Sequence, residues 1–236
     1  MREKMKKNMN SYIGKGIYSI SEAKRLTGIS TQNIRRWLYG YSYYRKGEKY
    51  YKDPVLSHDY EPMEGNYALS FLDLIEIRFV YQFRKYGISL QSIRTAASRA
   101  ADLIGNSHPF TTKKFYTDKR TILAQITSVE RETELIDLIH HQYEINEIVV
   151  PLLYEGIDFS QFDVAERWWP MGFDSPIVID PNRSLGRPII NSSGTPTEIL
   201  FYSVKAGNSF DSVADWYEIT PEEVKAAVNF ENKLPA

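Results

Sequence analysis

The chain has 236 residues, 42% hydrophobic and 25% charged, which is the composition of an ordinary globular protein of one or two domains. Its net charge of -1 is unevenly distributed: residues 1–60 hold 13 Lys/Arg against 5 Asp/Glu, whereas residues 161–236 hold 6 against 11. It has no cysteine, which excludes disulfide scaffolds, thiolate zinc sites and cysteine nucleophiles.

The first predicted elements are two short helices that follow a polar, basic arm at residues 1–16. Ser19 and Glu22 have the spacing of a capping box, and Gly28 is placed to end the helix that they begin. Ser30 is placed to cap a second helix. Its apolar residues recur at helical spacing, at Ile34, Trp37 and Leu38. Two helices joined by a turn that contains glycine predict a helix-turn-helix.

A β-hairpin and a second pair of helices are predicted next. Residues 41–51 are rich in tyrosine around Lys46-Gly47, a turn signal, so they predict a hairpin of the kind called a wing. Residues 52–67 have the composition of a loop. Ser70 and Ser89 then have the positions of N-caps for two further helices, the second of which ends near Gly105.

The rest of the chain predicts a connecting region and a C-terminal domain. β-Forming residues flank Asp118-Lys119, so residues 109–127 predict another hairpin. Beyond residue 172, two short strands near Ile177 and Ile189 precede three helices. The predicted fold class is therefore mainly α, of the α+β type. The predicted divisions are an arm at 1–16, a winged helix-turn-helix domain at 17–105, a connecting β/α region at 106–172 and a helical domain with a short β-hairpin at 173–236.

The second helix and the hairpin carry the residues expected to contact DNA. If Ile34, Trp37 and Leu38 face the core, the polar residues between them face outward or sideways. Glutamine and asparagine can pair with adenine, and arginine with guanine or phosphate. Cations interleaved with tyrosines in the wing suit contacts to the DNA backbone. The predicted DNA-binding residues are Ser30, Thr31, Gln32, Asn33, Arg35, Arg36, Tyr39, Tyr43, Tyr44, Arg45, Lys46, Lys49 and Tyr50. A helical corner that binds only protein is the alternative.

Residues 18–105 resemble the MerR-like DNA-binding domain. The residues that carry the resemblance lie in both predicted pairs of helices: Ser19, Glu22, Leu26, Gly28, Ile29, Ser30, Ile34, Arg35, Arg36, Trp37, Leu69, Asp73, Ile77, Arg78, Phe79, Arg84, Gly87, Ser89, Ile93 and Arg94. The resemblance implies a dimer that binds double-stranded DNA as a transcriptional regulator, with Arg35 as a phosphate or base contact.

Residues 176–233 resemble domain-of-unknown-function family 433. The residues that carry this second resemblance are Asp180, Pro181, Gly186, Arg187, Pro188, Pro196, Gly207, Trp216, Tyr217, Val224 and Ala227. The two domains together resemble VapB-type antitoxins of type II toxin–antitoxin modules. That resemblance implies a protein that represses its own operon and binds a PIN-like ribonuclease toxin, and the MerR-like domain implies that it acts as a homodimer. The cytoplasm is the expected location, because the sequence has no cysteine and predicts neither a membrane span nor a signal peptide.

The sequence therefore predicts a DNA-binding antitoxin and transcriptional autorepressor; the alternative is a stand-alone MerR-like regulator with a dimerisation or effector C-domain. No enzyme is predicted, because no catalytic cluster or phosphate-binding motif occurs. No cofactor or metal site is predicted either. His140 and His141 are adjacent and point to different faces of a helix, while His58 and His108 fall in predicted loops. No apolar run approaches the about 18 residues of a membrane span, and no signal peptide is expected.

Overall fold

The computed structural model describes residues 14–127 and 145–235, which form two compact units. The N-terminal unit comprises residues 19–127, 145–154 and 159–165, and the C-terminal unit comprises residues 14–18, 155–158 and 166–235. Helices predominate and the sheets are small, so the predicted α+β class is confirmed. Among the described residues, no helix is both long and apolar enough to cross a membrane.

The division into units differs from the predicted domain boundaries. Residues 106–127 lie in the N-terminal unit, together with the helix-turn-helix. The chain then passes to the C-terminal unit at residues 155–158, returns for residues 159–165 and leaves again at residue 166. The predicted connecting region is thus divided between the two units.

The elements of the N-terminal half, in chain order, are β1 (Tyr18–Ser19), α1 (Ile20–Thr27), α2 (Thr31–Tyr39), β2 (Tyr41–Arg45), β3 (Glu48–Lys52), β4 (Ala68–Leu69), α3 (Phe71–Lys85), α4 (Leu90–Ile104), a 3₁₀ turn (Pro109–Thr111), α5 (Lys113–Thr127, interrupted at Asp118), a π-helical turn (Ile145–Val149) and α6 (Val150–Tyr154).

The helix-turn-helix forms because each helix end has its expected cap. The Ser19 Oγ accepts the Glu22 N–H at 3.1 Å, and a Glu22 carboxylate oxygen accepts the Ser19 N–H at 2.8 Å. Gly28 has a left-handed backbone, with φ +71°, and turns the chain toward Ser30, which caps α2. Both predicted helices and their capping residues are confirmed. On α2, the buried residues are Ile34, Trp37 and Leu38, as predicted.

The predicted hairpin at residues 109–127 is wrong. This segment forms a 3₁₀ turn followed by helix α5. The Thr112 Oγ1 accepts the N–H of Phe115 at 3.1 Å, so Thr112 caps the helix. Phe115, Ile122 and Leu123 are all buried, so α5 buries apolar side chains both before and after its interruption at Asp118. Their burial prevails over the β-forming tendency of the individual residues.

An aromatic cluster joins α3 to the segment that follows α4. The Phe110 ring is stacked on Phe79 with centroids 5.5 Å apart, and it meets Phe83 and Phe115 edge-on at 5.8 and 4.9 Å. The Tyr154 hydroxyl donates to the Phe110 carbonyl at 2.6 Å. Residues 106–127 therefore contribute to the same core as the helix-turn-helix rather than to a linker.

The rest of the chain forms a small sheet and three helices. Its elements are β5 (Ile157–Phe159), β6 (Ala165–Trp168), β7 (Ile177–Ile179), a 3₁₀ turn (Ser184–Gly186), β8 (Pro188–Ile190), α7 (Thr197–Lys205), α8 (Phe210–Tyr217) and α9 (Pro221–Lys233). The sheet has the order β5-β6-β7-β8. The predicted hairpin is confirmed: β7 and β8 are antiparallel, with Ile177 opposite Ile190. The other two strands of the sheet, β5 and β6, lie in the predicted connecting region.

Candidate nucleic-acid interface

Helix α2 presents a polar face whose side chains are accessible. Four of the predicted contact residues are exposed: Thr31, Gln32, Arg35 and Arg36. Ser30 is also exposed, and its Oγ accepts the Asn33 N–H at 3.3 Å, while Asn33 itself is half-buried. The exposed face of α2 and its cap therefore combine amide and hydroxyl groups with two guanidinium groups, which can contact base edges and phosphates.

Two tyrosines that were not among the predicted contacts support the two arginines. The Arg35 guanidinium lies over the Tyr67 ring at 4.9 Å from its centroid, and the Arg36 guanidinium lies over Tyr41 at 4.6 Å. A guanidinium stacked on an aromatic face keeps its N–H groups in the plane available for an acceptor. Tyr41 begins the predicted hairpin directly after α2, so its contact with an α2 arginine could have been predicted from the sequence. The sequence around Tyr67 gives no indication that this residue contacts α2.

Tyr39 departs from the expectation that it faces outward. It is half-buried, and its hydroxyl donates to the carbonyl oxygens of Ala68 at 2.6 Å and Tyr60 at 3.3 Å. Burial and the negative charge of Asp73 raise the pKa of Tyr39 well above its ordinary value, so the hydroxyl stays protonated. Tyr39 thus holds the end of α2 against the segment that returns from the wing, and its hydroxyl is not presented to a ligand.

The wing is a two-stranded antiparallel hairpin, as predicted. Tyr43 lies opposite Tyr50, and Tyr44 lies opposite Lys49. Lys46 and Gly47 have φ values of +52° and +84°, so the turn takes the left-handed backbone that matches the twist of a tight hairpin. Its predicted contact residues are exposed except for the half-buried Tyr43.

The predicted wing contacts are divided between the two faces of the hairpin. Residues that lie opposite each other in an antiparallel pair share a face, so Tyr44 and Lys49 are on one face while Tyr43 and Tyr50 are on the other. Tyr44 is 73% exposed. The Tyr50 ring stacks on Tyr43, and its hydroxyl donates to the Glu48 carboxylate at 2.7 Å, which raises the pKa of Tyr50. Tyr44 and Lys49 are therefore the freer pair for a backbone phosphate.

The base of the wing is fixed to the end of α2. The Tyr51 hydroxyl donates to the Tyr39 carbonyl at 2.9 Å, and the Trp37 carbonyl accepts the N–H of Val55 at 2.7 Å. Gly40 joins the two elements with φ +70°, and a Cβ there would lie 2.4 Å from the Lys52 carbonyl oxygen. Only glycine fits this junction without a backbone shift.

Helix α4 holds the chain that leaves the wing. The Arg94 Nε and Nη2 donate to the carbonyls of Pro54 and Asp53, each at 2.9 Å. The wing is thus held at its start by α2 and at its exit by α4. This places the hairpin and the polar face of α2 in one supported unit, which is the arrangement that reading a duplex requires.

A second set of polar side chains is buried in the same unit. His108 is buried beside Asp59, Asp73 and Glu76. Burial disfavours the charged form of His108, but the neighbouring carboxylates of Asp59 and Glu76 outweigh it and raise its pKa to about 10. Burial raises the pKa of Asp73 to about 6, against the opposing charge of His108. The sequence indicated only the capping role of Asp73 and did not indicate this cluster.

Two family models match separate parts of the chain. Residues 16–97 match a family described as "Putative DNA-binding HTH domain". Residues 177–230 match a family described as "Protein of unknown function (DUF433)". The first match covers α1, α2, the wing, α3 and part of α4, and the second covers the β7–β8 hairpin and the three helices that follow it.

A curated protein matches nearly the whole chain. "Putative antitoxin VapB45" of Mycobacterium tuberculosis (strain ATCC 25618 / H37Rv) is 25% identical over 223 residues, which cover 90% of this chain and 92% of that protein. The chain is thus similar over most of its length to a protein described as an antitoxin. The crystal structure of Rv2018 from Mycobacterium tuberculosis has the same fold, with a TM-score of 0.69 and 22% identity over 89% of this chain and 96% of that one.

Proposed function

We propose that the protein is a DNA-binding antitoxin that represses its own operon and neutralises a PIN-like ribonuclease toxin. The observation that carries the proposal is the accessible polar face of α2, where Arg35 and Arg36 are exposed and supported by aromatic rings. The match of residues 16–97 to a DNA-binding family and the likeness to an antitoxin over most of the chain support it.

The binding mode that we propose is that of MerR-like proteins. A homodimer places two copies of α2 in successive major grooves, about 34 Å apart, while each wing contacts the adjoining backbone. The basic charge of residues 1–60 draws this end of the chain to the phosphates. The acidic C-terminal part is available for dimerisation and for the toxin, and the protein acts as a regulator without an enzymatic step of its own.

Salt dependence tests the DNA half of the proposal. About four to six phosphate contacts per dimer predict that a plot of log binding constant against log salt concentration has a slope of about -4 to -5. The measurement is a fluorescence-anisotropy titration of the full chain with a duplex from the region upstream of its gene, at several salt concentrations. A slope near zero, or binding too weak to measure at low salt, contradicts the proposal.

Co-purification with the toxin tests the other half. The full chain, expressed together with a PIN-like nuclease encoded by a neighbouring gene, is expected to purify with it as a complex and to suppress its ribonuclease activity. A variant with Arg35→Ala and Arg36→Ala is the matched control, because it is expected to lose DNA binding and keep the toxin. Failure of the unaltered chain to bind that nuclease defeats the antitoxin proposal and favours a stand-alone MerR-like regulator.

A further inference from the structure

Four acidic and basic side chains from three separate segments meet beside α3. Asp59 comes from the segment between the wing and β4, Asp73 and Glu76 from α3, and His108 from the turn after α4. Asp73, Glu76 and His108 are buried, and Asp59 is half-buried. Such a concentration of carboxylates is costly to bury unless a cation compensates it.

Glu76 orients the histidine ring. Its Oε1 accepts the backbone N–H of Phe110 at 3.1 Å, which fixes the carboxylate, and its Oε2 lies 3.1 Å from the His108 Nδ1. When the ring is neutral with its proton on Nδ1, donated to Glu76, Nε2 carries the lone pair, so an ion that binds there displaces the second proton of the imidazolium. Metal-bound histidines commonly donate the N–H of their other ring nitrogen to a carboxylate in this way.

The Nε2 of His108 and the Asp59 carboxylate have the separation of two metal ligands. His108 Nε2 lies 3.6 Å from Asp59 Oδ2. Two ligands with bonds of about 2.1 Å in a tetrahedral site lie about 3.4 Å apart, so an ion fits between these atoms with little movement.

Asp73 supplies the independent observation that points to a ligand. Its Oδ2 accepts the N–H groups of Ser70 at 2.9 Å and of Asp59 at 3.3 Å. Its Oδ1 is fully buried, has no hydrogen-bond partner and lies 3.9 Å from the His108 Nδ1. A buried oxygen without a partner is expensive, and a bound cation would satisfy it.

We propose that Asp59, Asp73 and His108 bind a divalent transition-metal ion, with Glu76 as the positioning residue. One ligand atom from each of the three lies within 4.8 Å of the others. One imidazole nitrogen and two carboxylate oxygens are a donor set that suits Zn²⁺ and its neighbours better than Ca²⁺ or Mg²⁺. A cavity of about 470 Å³ lies beside the cluster, with Glu76 in its lining.

The ion would tie the segment that carries Tyr67 to α3. Asp59 and Tyr67 belong to the same segment between the wing and β4, and Tyr67 is the ring under Arg35. Bridging Asp59 to Asp73 and His108 would therefore stabilise the N-terminal unit close to the α2 face. The opposing interpretation is a protonated His108 that compensates the carboxylates without any metal.

The test is equilibrium dialysis of the chelator-treated full chain against Zn²⁺, with metal content measured by mass spectrometry and thermal unfolding followed by circular dichroism. The expected result is about one Zn²⁺ per chain and a Tm that rises with Zn²⁺ and falls again with chelator. Asp59→Asn is expected to lower the affinity at least tenfold, since it removes a charged ligand at a half-buried position without changing its shape. Glu76→Gln is expected to lower the affinity about 10- to 100-fold through the ring orientation.

A matched control separates this cluster from the other histidines. The double change His140→Asn and His141→Asn, at positions outside the described residues, is expected to leave Zn²⁺ binding unchanged. No Zn²⁺ uptake by the unaltered chain, or uptake that survives Asp59→Asn and is lost in the double variant, overturns the proposal.

Discussion

Replacing Arg35 and Arg36 together with alanine is expected to weaken binding of the upstream duplex by about 100-fold, because each well-placed arginine contributes about 1–3 kcal/mol. Each single change is expected to cost about tenfold. Both side chains are exposed, so the change removes donors from the surface without opening a cavity in the core. The measurement is fluorescence anisotropy at one fixed salt concentration, with circular dichroism to verify that the variants remain folded.

Arg187→Ala is the matched control for this loss. Arg187 is an exposed arginine of the C-terminal unit, so its removal changes the net charge as much as either α2 variant does. If general charge attraction governed binding, Arg187→Ala would weaken it as much as Arg35→Ala. We expect its affinity to change less than twofold, whereas an unchanged affinity in the double variant would mean that α2 is the wrong surface.

Local chemistry explains why the helix-turn-helix and the wing could be predicted. The capping box of Ser19 and Glu22, the left-handed Gly28 and the Lys46-Gly47 turn each depend on residues that are close together in the chain. Such local structures can therefore be predicted from the sequence alone. The same kind of signal was present at Thr112, whose side chain caps α5, but the aromatic and β-branched residues that follow it favoured a hairpin.

Contacts between distant residues explain what could not be predicted. The Tyr39 hydroxyl faces inward because it finds the Ala68 carbonyl, 29 residues away, and no nearby residue foretells that bond. His108 and Glu76 are 32 residues apart and meet only when the segment after α4 folds back over α3. Side-chain direction on a helix can be inferred from periodicity, but the partner that holds a polar group can be inferred only from the packed fold.

Phe110→Ala is expected to destabilise the whole N-terminal unit by about 3–5 kcal/mol, the usual cost of truncating a phenylalanine in a packed core. Phe110 is 1% exposed and lies within 6 Å of the rings of Phe79, Phe83 and Phe115. If the helix-turn-helix domain ended at residue 105, as the sequence predicts, Phe110→Ala would hardly change the stability of that domain. The two expectations are distinguished by urea unfolding together with hydrogen exchange of the α2 amides, whose protection is expected to fall with global stability.

Phe162→Ala provides the comparison within the same unit. Phe162 is 79% exposed, so its removal deletes the same atoms without leaving a cavity and is expected to change stability by less than about 0.5 kcal/mol. Unaltered protection of the α2 amides in Phe110→Ala would show that residues 106–127 fold independently of the helix-turn-helix. Phe110 packs against α3, and α3 in turn contacts both α1 and α2. Because these elements share one core, the stability lost in Phe110→Ala is expected to lower the protection of α2, the helix that carries Arg35 and Arg36.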